Sequence, residues 1–237
     1  MRERILWIDV IRGISILAMI TFHFAFDMMY FGFAKPDLIY QPDWRLFERM
    51  IAFSFLFIAG LSLSITHGAW INWKSFIRRY GVTAICAVLI STVTYILFSD
   101  DMIRFGILHA ISVSGLIGLL LLKLNTFPLV LLAIMISFIN INIPKPLEGH
   151  YFWQWLIYTT DTPNSLDYRP IIPWITPFIL GMASHQLFKK WDLLEKGNAI
   201  NYRELLILSW LGRNSLAIYL VHQPILFASF SLFLKIS

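Results

Sequence analysis

Residues 81–98 read GVTAICAVLISTVTYILF and residues 105–122 read FGILHAISVSGLIGLLLL. Neither stretch contains an Asp, Glu, Lys or Arg. A bilayer core about 30 Å thick takes a helix of about 20 mostly apolar residues, with about 17–25 tolerated. A soluble helix of that length would show a polar face. These two show none, so both read as membrane spans, extending over 79–98 and 104–122.

Outward from this pair, five further segments meet the same test: 7–31, 50–67, 127–143, 171–188 and 213–234. Composition agrees. Of 237 residues, 58% are apolar and only 14% charged, with a mean hydropathy of +0.68. A soluble domain carries roughly 45–50% apolar and about 25% charged residues. So much apolar surface cannot be hidden in one core of this size. A soluble enzyme, a disordered regulator and a secreted disulfide scaffold are excluded. The predicted fold is all-α: a polytopic transmembrane helix bundle of about seven spans, forming a single integral-membrane domain over 1–237 without internal repeats.

The basic residues fall mainly between spans, which fits membrane topology and argues against a nucleic-acid partner. With the amino terminus in the cytoplasm and seven alternating spans, the inner side collects 12 of the 19 basic and 5 of the 14 acidic residues. The inner net charge is then +7 and the outer −2, which together make the +5 of the whole chain. The start, MRERILWIDVIRG, is basic and then apolar like a signal peptide. Asp9 and Arg12 interrupt the apolar run and no small-residue cleavage pattern follows, so it reads as a retained first span. The single cysteine, Cys86, permits no disulfide within the chain and reads as a small packed hydrophobe. No zinc-type Cys/His cluster is present, and no metal is expected.

Prolines mark two spans. Pro170, Pro173 and Pro177 predict an irregular start to the sixth, and Pro224 predicts a kink in the seventh. One connection is long. Residues 145–170 carry five aromatics between Tyr151 and Tyr158 and read either as an interfacial aromatic belt or as a lid over an outward-facing site.

Ionisable groups inside spans cost about 2.5–3.5 kcal/mol each on insertion scales, which makes them the first candidates for function. The first span holds four: Asp9, Arg12, His23 and Asp27. Asp9 and Arg12 share a helix face at the cytoplasmic edge and read as a local ion pair or as part of a site for an anionic ligand. His23 and Asp27, four apart, also share a face. A carboxylate so placed can orient an imidazole and stabilise its protonated form, which suits a general base acting on an alcohol or amine. The bland alternative is a polar pair knitting helices together. Arg104 and His109 belong to the fourth span, and Arg213, Asn214, His222 and Gln223 to the seventh. His109 and His222 each read as hydrogen-bonded core histidines. Together with His23, on spans 1, 4 and 7, they also read as facing a shared interior. GxSxG, GxxxxGK[ST], HExxH and GxGxxG are all absent, so any nucleotide-like ligand must be held between helices.

Five strings taken together carry a resemblance: IDVIRGISILAMITFHF (8–24), FSFLFIAGLSLS (53–64), RFGILHAIS (104–112), PWITPFILG (173–181) and LGRNSLAIYLVHQP (211–224). The chain resembles the bacterial branch of the heparan-alpha-glucosaminide N-acetyltransferase catalytic-domain family over about residues 5–235. The first string is also similar to the opening of broader membrane acyltransferase families. The resemblance implies acyl transfer across a membrane, from cytoplasmic acetyl-CoA to an amino sugar or similar acceptor on the far side. Arg12, Gly13, His23 and the Arg213-Asn214-Ser215 string occupy matching motif positions. The animal lysosomal members carry an acyl-handling histidine in the loop after the first span. Here residues 30–49 contain no histidine, and His23 stands where those members have asparagine. The expected acceptor is therefore a cell-envelope glycan, and the expected location the bacterial cytoplasmic (inner) membrane.

The resulting expectation is an acetyl-CoA-dependent N- or O-acetyltransferase. Acyl-CoA phosphates lie near Arg12, Arg213 and Asn214, and Asp9 and His222 contact substrate. His23, held by Asp27, takes the acceptor's proton, and Arg104, His109 or Asn214 steadies the oxyanion. A covalent acetyl-histidine on His23 is the variant of this scheme. Membrane lipids and a second copy of the chain complete the expected partners. The alternative is a proton-coupled transporter or channel with an intramembrane His/Asp relay.

Overall fold

The computed structural model describes residues 5–142, 153–159, 162–193 and 203–236. The described residues form α1 (Leu6–Tyr30), α2 (Pro42–His67), α3 (Trp73–Leu97), α4 (Ile107–Leu121), α5 (Thr126–Asn142), α6 (Ile171–Lys190), α7 (Arg203–Arg213) and α8 (Ser215–Ile236). Among them there is no β-strand, only two isolated bridges, Phe105 with Tyr168 and Ile157 with Ile172. Five helices, α1, α2, α3, α6 and α8, are long and apolar enough to cross a membrane. Two shorter ones, Ile107–Leu121 and Thr126–Ile141, are apolar as well. The all-helical membrane architecture expected from the sequence is the one observed.

Large apolar side chains face outward in a way water would not tolerate. On α3, Ile85 is 70% exposed and Ile96 73%. Contiguous apolar surface of this kind calls for a lipid environment.

The chain divides into two compact units, Met1–Phe55 with Asp192–Ser237 (the terminal unit) and Leu56–Trp191 (the central unit). In the terminal unit α1 has two faces. Ile11, Ile14, Leu17 and Phe24 are exposed, while Asp9, Gly13, Ile16, Met19 and Asp27 are buried. Both sets recur at three- and four-residue steps, the spacing that places residues on one side of a helix. Gly13 lies against the backbone of Leu208, and Gly212 against that of Asp9. A Cβ at either glycine would meet the facing carbonyl oxygen, so these two positions let α1 and α7 touch backbone to backbone. Numbers rise along α1 as they fall along α7, so the two helices run antiparallel.

Asn214 turns the chain from α7 into α8. Its side-chain Nδ2–H donates to Trp210 O at 2.9 Å, and its own carbonyl accepts from Ile218 N–H at 3.0 Å. α8 then runs parallel to α1, with Arg213 beside Asp9, His222 beside His23 and Phe230 beside Phe31. Phe227, Phe230 and Phe233 meet Tyr30, Phe31 and Phe33 with ring centroids 4.8–5.9 Å apart, contacts each worth about 0.5–1.5 kcal/mol. The helix continues through Pro224.

α7 falls between the sixth and seventh predicted spans, in a stretch for which the sequence predicts no helix. At 11 residues it is too short to register as a span, and charged Arg203, Glu204 and Arg213 dilute its apolar signal. Its place comes from packing: Ser209 is buried, while Leu206, Ile207 and Trp210 are exposed.

In the central unit the end of α2 packs on α6 through another reciprocal glycine contact. Gly60 faces the Phe178 carbonyl and Gly181 faces that of Phe57. Phe178, Leu56, Leu61, Leu63 and Ile179 form the fully buried centre. Gly118 of α4 sits over Leu63 and Phe178, and Gly115 over Tyr80 of α3. α6 starts irregularly, as its prolines predict: Ile172, before Pro173, has extended rather than helical dihedrals (φ −99°, ψ 117°), the conformation a following proline favours. Cys86 is buried, in keeping with a packing role.

Candidate functional site

The terminal unit gathers most of the ionisable residues singled out above. At the start of α1, Asp9 bridges two arginines. Arg12 NH1 donates to Asp9 Oδ1 at 2.8 Å, and Arg213 Nε–H donates to Asp9 Oδ2 at 3.3 Å. Asp9 and Arg12 are part-buried, whereas the Arg213 side chain is 42% exposed. Two guanidiniums on one carboxylate leave a local excess of one positive charge. Arg213 is partly exposed, and guanidinium geometry suits phosphate oxygens. Asn214 serves as the turn between α7 and α8.

Further along α1, His23 and His222 meet. His222 Nε2 lies 3.2 Å from His23 Nδ1, with the rings edge to face at 4.8 Å between centroids. His23 Nδ1 is also 3.0 Å from Met19 O, and His222 Nδ1 is 2.7 Å from Tyr219 O. His222 is the only buried side chain on α8 among the described residues. One turn on, Gln223 Nε2–H donates to Asp27 Oδ1 at 2.8 Å. The Asp27 side chain is fully buried (0% exposed). The four residues His23, Asp27, His222 and Gln223 thus cross-link α1 to α8 in two consecutive steps.

The fourth span's candidates lie in the central unit. His109 closes the first turn of α4: its Nδ1 accepts from Gly106 N–H at 3.2 Å, and its Nε2 is 3.4 Å from Ser91 Oγ. The Ser91 hydroxyl donates to Ile103 O at 2.5 Å, so the Ser91 oxygen receives the His109 Nε2–H. Both ring nitrogens of His109 are engaged in holding α3, α4 and their connection. Nearby, Ile107 N–H donates to Asp167 Oδ2 at 2.7 Å, and Arg169 pairs with Asp167 at 3.6 Å. Arg104 is exposed and lines a recess of about 310 Å³ with Met102, Phe105, Gln154, Trp155, Pro163 and Tyr168.

The described part of the long aromatic loop is tied down rather than open. Tyr168 OH donates to Gln154 O at 2.5 Å, and Trp174 Nε1–H donates to Tyr158 OH at 2.9 Å. Arg169 stacks over the Trp174 ring at 4.8 Å. Burial pushes the Tyr168 phenol up to about 12, with Tyr158 adding to the effect. The rest of the loop, His150 included, lies outside the described residues.

Structure therefore unites Asp9 with Arg12 and Arg213, and His23 with His222. It hands the Asp27 carboxyl to Gln223, a residue the sequence reading noted and gave no role. The missed signal was the His222-Gln223 doublet: adjacent positions on α8 meet positions four apart on α1. Among the described residues, no group of three His, Cys, Asp or Glu side chains is placed to hold a metal ion. The family model described as heparan-alpha-glucosaminide N-acetyltransferase, catalytic, matches residues 4–224. No curated protein and no solved structure matches the chain.

Proposed function

The chain belongs to the heparan-alpha-glucosaminide N-acetyltransferase catalytic-domain family, and on that premise we propose that it moves an acetyl or short acyl group from cytoplasmic acyl-CoA to an amino sugar or envelope glycan on the far side of the inner membrane. Membership puts it among membrane acetyltransferases acting on amino sugars. The donor, the acceptor and the direction of transfer are our reading.

One observation carries that reading. Helix α1 carries both halves of the site: a cationic cluster at Asp9 and Arg12, completed by Arg213 at the end of α7, and a histidine pair in which His23 meets His222 of α8. Fourteen residues separate Asp9 from His23, about 21 Å along a helix at 1.5 Å per residue. A CoA thioester has the same layout, with phosphates at one end and the reactive carbonyl at the end of a long flexible arm. Arg213 and Arg12 take the phosphates from the cytoplasmic side. The thioester carbon then lies at the level of the histidines.

There His23 accepts a proton from the acceptor's amine or hydroxyl as its nitrogen or oxygen attacks the carbonyl. The tetrahedral oxyanion collapses, the C–S bond breaks, and the CoA thiolate takes the proton back from His23, which returns to its neutral form. General-base assistance of this kind is worth about 10²–10⁴-fold. Of the groups expected to steady the oxyanion, Arg104 and His109 belong to the central unit, where Arg104 is exposed and His109 holds a helix start, and Asn214 holds the turn between α7 and α8. The parallel course of α1 and α8 suits an odd number of spans, and we place the amino terminus in the cytoplasm with seven crossings.

Purified protein in lipid nanodiscs, given acetyl-CoA and an amino-sugar acceptor, should release CoA thiol and acetylated sugar. His23→Ala should abolish both while the fold persists. Full activity in that variant overturns the assignment of the base, and solute counterflow without acetyl transfer overturns the enzymatic reading.

A further inference from the structure

We infer that His222 is a positioning residue that fixes the tautomer of His23 and so selects the nitrogen that acts as base. This rests on the reading of His23 as the base. Its premise is the hydrogen-bond pattern of the pair. His23 Nδ1 faces Met19 O and His222 Nδ1 faces Tyr219 O. A carbonyl oxygen only accepts, so each Nδ1 must carry a hydrogen. In the neutral pair His222 Nε2 is then bare, and it accepts from His23 Nδ1–H across 3.2 Å. Every other neutral assignment sets two lone pairs against each other at one of these three contacts.

Two consequences follow for the chemistry. His23 keeps its lone pair on Nε2, the nitrogen on the far side of the ring from His222. When Nε2 takes the acceptor's proton, the Nδ1–H bond to His222 becomes charge-assisted and strengthens as the transition state forms. A partner that gains strength only then lowers the barrier and leaves substrate binding unchanged. The burial of His222 keeps this contact away from competing water.

The experiment has a resting-state arm and a turnover arm. Nitrogen NMR of ring-labelled protein without substrate should show His23 protonated at Nδ1. A resting His23 protonated at Nε2 instead overturns the inference. In turnover, His222→Phe keeps a ring and removes the acceptor, and should lower kcat by about 10²-fold with both KM values held. His222→Gln places an amide oxygen near the lost Nε2 and should recover at least about tenfold of that. Higher KM at unchanged kcat in His222→Phe would make the residue a substrate contact and overturn the inference, as would equal losses in both variants. Failure of His23 as base is separately visible, because His23→Gln would then remain active whatever the resting tautomer.

The geometry one turn further along α1 points to a second assignment: Asp27 is held as the neutral acid in a ring with Gln223. Gln223 Nε2–H already donates to Asp27 Oδ1. Asp27 Oδ2 and Gln223 Oε1 are both buried and have no hydrogen-bond donor among the described residues. An isolated buried carboxylate is far costlier than a buried acid. A single proton on Oδ2, given to Oε1, satisfies both oxygens and closes an acid–amide pair. Infrared difference spectra between wild type and Asp27→Asn should show a protonated-carboxyl stretch that deuterium oxide shifts. Only carboxylate bands in that difference would overturn it. Melting temperature gives a second readout. Asn can complete the same ring and should preserve it, whereas Asp27→Leu should lower it; equal losses for Asn and Leu would overturn the assignment.

Discussion

His23 on α1 and His109 on α4 each interrupt an apolar helix, and each ring has its two nitrogens set by neighbours. The outcomes are chemically opposite. At His109 the Nδ1 lone pair takes the Gly106 N–H and the Nε2–H goes to Ser91, so both nitrogens belong to the architecture of the central unit. At His23 the Met19 carbonyl and His222 both meet Nδ1 and require a hydrogen there, so the basic lone pair of the neutral ring stays on Nε2. A histidine within a membrane helix is therefore not by itself a sign of catalysis. Which nitrogen its neighbours occupy decides whether it builds structure or moves protons.

The sharpest way to break this contrast is substitution at His23, where loss of acetyl transfer by about 10²–10⁴-fold is expected with a normal melting curve. Retained turnover would place His23 beside His109 as a purely structural residue. Next in size is the support of the terminal unit. Gly13→Val or Gly212→Val pushes a side chain into the facing backbone, and overpacking of this sort costs about 1–3 kcal/mol. Thermal unfolding in detergent should show it, and an unchanged midpoint would mean that α1 and α7 do not touch as described. Arg213→Gln should raise the KM for acyl-CoA about tenfold, equivalent to about 1.4 kcal/mol, with a smaller change in kcat. An unaltered KM would remove the phosphate role.

The central unit should answer in stability rather than in rate. His109→Ala removes a helix-start contact whose class is worth about 0.5–2 kcal/mol. Its turnover should fall only as far as the folded fraction does, and a specific loss of kcat would restore His109 to the catalytic list. Tyr168→Phe should cost about 1 kcal/mol at neutral pH through the lost bond to Gln154 O. The pH dependence has a definite sign. Folding raises the phenol from 10.0 to about 12, so its contribution is complete below pH 10 and drains away as pH climbs through 12. Wild type should lose stability over that interval relative to Tyr168→Phe. Parallel curves would show a phenol open to solvent.

Much of the fold is legible along the chain. Long apolar runs mark α1, α2, α3, α6 and α8, and Pro173 marks the irregular first turn of α6, because a bilayer and a proline ring each impose a local rule. α7 is not legible that way: Gly13 and Gly212, far apart in sequence, bring its backbone onto α1. The candidate site divides along the same line. Asp9 with Arg12 is a local helix pairing and can be read at a spacing of three. The i,i+4 spacing of His23 and Asp27 is legible along the chain, but the side chains that meet them across the helices, His222 and Gln223, come from about 200 positions later.

Composition and apolar period alone establish a helical membrane protein and a short set of costly polar residues within it, since transfer energy depends on the residues in each span. The family strings add an acetyltransferase. Protonation and partnership are settled elsewhere. Whether a buried imidazole offers a lone pair depends on the direction of two or three hydrogen bonds. Those directions exist only after α8 has been laid alongside α1.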